Sequence, residues 1–156
     1  MQSSFEQVNR WLAQLDQGNL ALDDEGRCSL IGDDRFEMDI YAIPGGDSFY
    51  INIKICPLPH RQRERFFEQA LLLNLFQQET LGATLAIDPQ DQSMMLCYCR
   101  ECEHTTQTCF TNSIDNLLET AAKLHDQLAE SQAMQDEEAF MPSTIQTPHP
   151  PFTMFA

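Results

Sequence analysis

Positive charge is scarce in this sequence: 9 Lys+Arg stand against 24 Asp+Glu, a formal net charge of −15. A field of that sign repels nucleic-acid phosphates and anionic lipid headgroups, so neither nucleic acid nor membrane insertion is expected. No apolar run approaches the roughly 18 residues of a membrane-spanning helix. The opening residues MQSSFEQVNRW lack the basic start and continuous apolar segment of a secretory leader. A cytoplasmic location is the expectation, with the six cysteines reduced. Glycine is sparse as well, with 6 residues, and no glycine-rich run follows a strand pattern to cradle a phosphate. Internal repeats are absent.

What is present in quantity is apolar surface: 42% of the residues are hydrophobic, ten of them phenylalanine. The densest stretch is Arg65–Thr80, RFFEQALLLNLFQQET, free of proline and glycine. Phe66, Ala70 and Leu73 share one helical stripe; Phe67, Leu71 and Leu75 share a parallel one. With Leu72 and Phe76 added, the apolar arc exceeds half the circumference. A helix covering one sheet needs less, so this one is expected to meet a sheet on one side and a second subunit on the other, with burial entirely within one domain as the alternative.

The remaining pattern is α+β, in the order helix, three strands, helix, two strands, helix, tail. Ser3-Ser4-Phe5-Glu6 has capping-box spacing before the stripe Phe5, Val8, Leu12, Leu15, which predicts a helix from about 4 to 17 ended by Gly18. Leu20–Leu22, an acidic turn and Arg27–Ile31 read as extended chain. Two alternating runs follow, Phe36 to Ala42 and Phe49 to Ile55, an antiparallel meander with one face on the core. Alternation leaves open which face that is, and Tyr41, Ile43 and Tyr50 keep the other from being uniformly polar. Ala83–Ile87 and Ser93–Arg100 form a second hairpin. A third helix is expected from a cap at Asn112 to near Glu130, with Ile114, Leu117, Leu118, Ala121, Leu124 and Leu128 inward. Residues 1–131 thus form one domain. Residues 132–156, acidic and proline-rich, read as a flexible tail, with docking on a partner or on its own subunit as the alternative.

Chemistry is thin. Cys97, Cys99, Cys102 and His104 could offer zinc four ligands. Yet Cys97 and Cys99 sit on one face of a strand, and Cys102 is too close for the usual two-knuckle spacing. Neither the C-x-x-C spacing nor a Cys/His pair has the context of a redox or nucleophilic site. Acidic pairs such as Asp33/Asp34 belong to turns. No catalytic, cofactor-binding or metal-binding residue is assigned, and the chain is expected to bind rather than catalyse. Exposed sheet edges could accept an extended peptide while neighbouring pockets take its apolar side chains.

Four stretches together resemble the class I chaperones of bacterial type III secretion, the CesT/SycE-like or Tir chaperone group. They are LALDDEGRCSLIGDD, FYINIKICPLP, ALLLNLFQQETLGATLAID and NSIDNLLETAAKLHDQL, within residues 4–130. The last strand, MMLCYCREC, departs from the family's aliphatic pattern. The resemblance implies a twisted antiparallel sheet with helices packed on it. It implies a homodimer, without ATP or metal, that keeps the N-terminal segment of a secreted effector extended and export-competent. The secretion ATPase is then a further candidate partner. Carried onto this chain, Leu73, Phe76, Leu85 and Ile87 would form the dimer interface. Leu20, Leu22, Leu30, Phe36, Met38 and Ile40 would contact the effector. Two alternatives stand beside this reading: an interaction module on the same fold that binds a folded regulator, and a small zinc-binding enzyme.

Overall fold

The computed structural model describes residues 3–140, with the side chain of Phe76 outside that description. The tail residues 141–156 lie outside it too. Helix α1 spans Ser4–Leu15, and the expected cap is in place: Ser3 Oγ accepts the Glu6 N–H at 3.3 Å. Val8, Trp11 and Leu12 are its buried apolar side. Leu20–Leu22, read as a strand from the sequence, pairs with no ladder. Asn9 on α1 takes the Leu22 N–H instead, at 2.7 Å, and holds the segment against the helix.

The sheet has strands β1 (Arg27–Gly32), β2 (Phe36–Tyr41), β3 (Ser48–Pro57), β4 (Thr84–Asp88) and β5 (Ser93–Glu101), in spatial order β1-β2-β3-β5-β4 with every pairing antiparallel. Its register settles which face meets the core. Leu30, Met38, Ile53, Leu96 and Leu85 are successive partners across all five strands, and this row turns towards the helices. The next row, Ser29, Asp39, Asn52, Cys97 and Thr84, turns away from them. Residues opposite one another in a ladder share a face, so each row is one stripe of the sheet.

Helix α3 (Gln107–Phe140) lies across β3 on the inner side, with α1 beside it. Trp11, Phe49 and Phe110 interlock there, with ring centroids 5.0 to 5.8 Å apart. The helix is longer than the sequence suggests at both ends. It starts at Gln107 because Thr106, not Asn112, is the cap: Thr106 Oγ1 accepts the Cys109 N–H and the Thr106 carbonyl accepts the Phe110 N–H. Its far end passes Glu130 and reaches Phe140. Buried residues stop at Leu128, so the amphipathic signal stops there, but Gln132–Phe140 holds only residues compatible with a helix and no proline or glycine.

Helix α2 (Arg63–Leu73) is shorter than the apolar run that announced it. Asn74 ends it, and a single 3-10 turn, Leu75–Gln77, leads towards β4. Only Phe66 and Ala70 of α2 are buried.

Candidate protein-binding surfaces

Among the described residues, nothing covers the outer side of α2. Leu71, Leu72 and Leu75 are exposed, Leu71 to 69%, as are Leu81 and Ile87. Between α2 and the outermost strand β4 runs an open trough of ≈ 320 Å³, lined by Phe67, Ala70, Leu71, Leu85, Ile87 and Met94 together with Asn74. An apolar trough with exposed Leu71 and Ile87 on its rim is a candidate interaction site. Of the residues expected at a dimer interface, Leu73 is half-buried, Leu85 is buried yet lines the trough, and Ile87 is exposed. The side chain of Phe76 is outside the description.

The second surface is the opposite edge of the sheet. Among the described residues, strand β1 has no neighbour beyond it. Its Arg27 rung is closed locally: the Arg27 N–H donates to Asp23 Oδ1 at 2.9 Å and its carbonyl accepts the Asp23 N–H at 2.8 Å. Gly26, one residue earlier, points its carbonyl the other way, to the Ala42 N–H. Main-chain direction alternates along a strand, so Ser29 and Ile31 share Arg27's orientation and turn their N–H and C=O groups to the free side. The Ile31 side chain stands on the outer face, 58% exposed. Around it the outer face is polar: Asp39 binds the Arg27 guanidinium through both oxygens, at 3.2 and 2.9 Å, and accepts from Ser29 Oγ.

The six residues expected to touch an effector fall differently. Phe36, Met38 and Ile40 are on the inner face, with Met38 only 1% exposed, and Leu22 is buried with them. Leu20 and Leu30 keep part of their surface, packed at the margin of the same core. Alternation along β2 is legible without its sense; the register to β3 and the cover by α3 supply it. Ile31, the most exposed apolar side chain of β1, has no clear signal in the sequence, because it stands directly beside Leu30 in a strand whose residues do not alternate cleanly.

The cysteine cluster does not converge. Cys97 and Cys99 stand on the outer face of β5, whereas Cys102 is buried beyond its end, its N–H donating to the Asp47 carbonyl at 2.8 Å. Burial pushes the thiols of Cys56 and Cys102 up to about 11, away from the thiolate form that metal ligation needs. His104 lies 4.0 Å from Glu101. Among the described residues, no three His, Cys, Asp or Glu side chains are grouped to hold a metal ion. Likewise, no helix among them is long and apolar enough to cross a membrane.

Residues 8–125 match the model of the Tir chaperone protein (CesT) family. No curated protein matches the sequence. Solved structures share the fold. A chain of the ExsC–ExsE complex superposes with a TM-score of 0.70 at 20% identity, over 81% of this chain and 97% of that one. A chain of the HopA1–SchA chaperone–effector complex gives 0.61 at 16% identity, over 78% and 91%. The heterodimeric ExoU–SpcU complex from the type III secretion system of Pseudomonas aeruginosa gives 0.58 at 15% identity, over 80% and 96%. At these identities the likeness is one of fold.

Proposed function

The chain belongs to the Tir chaperone protein (CesT) family, and from that premise we propose that it is a non-enzymatic cytoplasmic chaperone of type III secretion. It acts as a homodimer and holds the N-terminal segment of a secreted effector extended and soluble. The observation that carries the reading is the division of labour across the sheet. One end presents an uncovered apolar trough, and the other presents an open strand edge. The trough and the outer side of α2, with Leu71, Leu72, Leu75 and Ile87, receive the second copy. The β1 edge receives the client.

A client strand beside β1 bonds to the main chain of Ser29 and Ile31. Its side chains then alternate between the outer face beside Ile31 and the margin where Leu20 and Leu30 are part-exposed. Leu22, Phe36, Met38 and Ile40 support that margin from beneath. Each main-chain bond contributes about 1 kcal/mol net, and ordering a flexible segment costs about 2–5 kcal/mol. Main-chain pairing alone therefore does not hold a client; side-chain burial beside Ile31, Leu30 and Leu20 must add to it.

Ile31→Pro tests the assignment. Proline removes the outward donor and is tolerated on the free side of an edge strand. The variant is expected to keep the mass of the dimer in light scattering and to lose affinity for an effector N-terminal segment by about tenfold or more. An affinity equal to wild type would remove β1 from the binding site.

A further inference from the structure

The β4 edge is closed from within the chain further than the β1 edge, where the Arg27 rung alone is filled by Asp23 among the described residues. Asn74, the residue that ends α2, lays its side-chain amide along Leu85. The Leu85 N–H donates to Asn74 Oδ1 at 2.7 Å, and Asn74 Nδ2 donates to the Leu85 carbonyl at 3.1 Å. These are the two bonds an added antiparallel strand would make with that residue. Two residues earlier Thr80 does the same for Ala83: its carbonyl accepts the Ala83 N–H at 3.1 Å and its Oγ1 donates to the Ala83 carbonyl at 2.6 Å. Ala83, Leu85 and Ile87 share one main-chain direction by the alternation of the strand, so the first two of these outward rungs are occupied and the third remains.

We propose that Asn74 is a specificity-determining residue that mimics a sixth strand. By filling the Leu85 rung it bars strand addition at β4, so that a partner on that side is met through side chains and extended clients are directed to β1. The residue type matters. A primary amide offers one acceptor and one donor in the plane of a peptide, whereas a carboxylate can only accept and an aliphatic side chain can do neither. The placement matters too. Asn74 is the polar side chain in a trough otherwise lined by apolar ones, and because its amide is spent on Leu85 the trough presents itself to a partner as hydrocarbon. This inference rests on the proposed reading that clients bind as added strands.

The test uses the full chain as wild type, Asn74→Leu and Asn74→Ala. Amide hydrogen exchange is read with and without a lysine-flanked peptide of alternating valine and threonine. In wild type the peptide is expected to protect Ser29 and Ile31 and to leave Leu85 and Ile87 unchanged. In Asn74→Leu the free Leu85 amide exchanges about tenfold faster or more. It then regains protection together with Ile87, either on adding peptide as a second equivalent or, without peptide, as protein concentration rises. A folded variant with an exposed Leu85 amide and no such regained protection overturns the proposal. Should Asn74→Leu not fold, Asn74→Ala, which also removes both the acceptor and the donor, decides by the same two readouts. A wild-type protein whose Ser29 and Ile31 ignore the peptide refutes strand addition at β1, while the Asn74 proposal is still decided by Leu85 and Ile87 in the variants.

Discussion

Met38 and Ile31 are seven positions apart in sequence and stand on opposite faces of the same hairpin, which is why they answer differently to the same change. A carboxylate at Met38, 1% exposed, has no partner in the core and costs several kcal/mol; at Ile31 it meets water. The sense of an alternating strand is the piece of information that periodicity withholds. For the thiols the environment also decides. Burial raises Cys56 and Cys102 to about 11, from a usual value of 9.0. Both are neutral when protonated, so their contribution to stability is fully present below pH 9 and is lost as pH rises from there towards 11, because the unfolded chain ionises first. Wild type is expected to lose thermal stability over that interval more steeply than Cys102→Ala. Thermal melts at pH 8, 9 and 10 check this, and parallel slopes would mean that Cys102 does not titrate differently on unfolding. Cys109, lowered by its hydrogen bonds to Thr106, is expected to be alkylated before either of them.

At the scale of elements, the contacts that fix the hairpins to the helices are the most sensitive. A Cβ on Gly32, the last residue of β1, would clash with Leu118 Cδ2 and lie 3.0 Å from its Cδ1. Gly32→Ala must therefore move the Leu118 side chain or push the end of β1 away from α3. Overpacking of this kind costs about 1–3 kcal/mol, to be seen as a lower denaturation midpoint with an unchanged slope. A midpoint equal to wild type would show that Leu118 yields without cost. Most of the elements were legible because their signals are local: Ser3 with Glu6 for α1, alternation for β2 and β3, Asp88-Pro89 for the second hairpin. The boundaries that were missed depend on partners distant in sequence or on propensity without amphipathicity. Asn74 ends α2 because its amide is engaged eleven residues on, at Leu85. The last turns of α3 bury no apolar residue, and cross-links to α2 such as Gln62 Nε2 to the Gln135 carbonyl, at 3.4 Å, and Arg65 to Glu138, at 3.7 Å, have no signature in a one-dimensional pattern.

For the whole molecule the opposing terms are an apolar patch that favours a second copy and a charge of −15 that opposes one. The excess apolarity of Arg65–Thr80 was legible in the sequence as a two-sided helix. Which residues form the outer side was not, since Phe66 and Ala70 turn inward while Leu71, Leu72 and Leu75 do not. Exposed positions can be changed without disturbing the fold, so Leu71→Asp with Leu75→Asp isolates the association. The pair places two carboxylates per copy where hydrocarbon would be buried. Desolvating an unpaired carboxylate costs several kcal/mol, enough to weaken a dimer by about a thousandfold at ~4 kcal/mol. Light scattering is expected to give twice 17.9 kDa for wild type and the single mass for the double variant, with the same helical circular dichroism. A double variant that stays dimeric would place the interface elsewhere. Ionic strength separates the two terms further. Subunits of like charge repel over about 8–10 Å at ordinary salt, so added salt should tighten the wild-type dimer while leaving the double variant monomeric. On the proposed reading the apolar trough supplies the attraction, and salt only removes part of what opposes it.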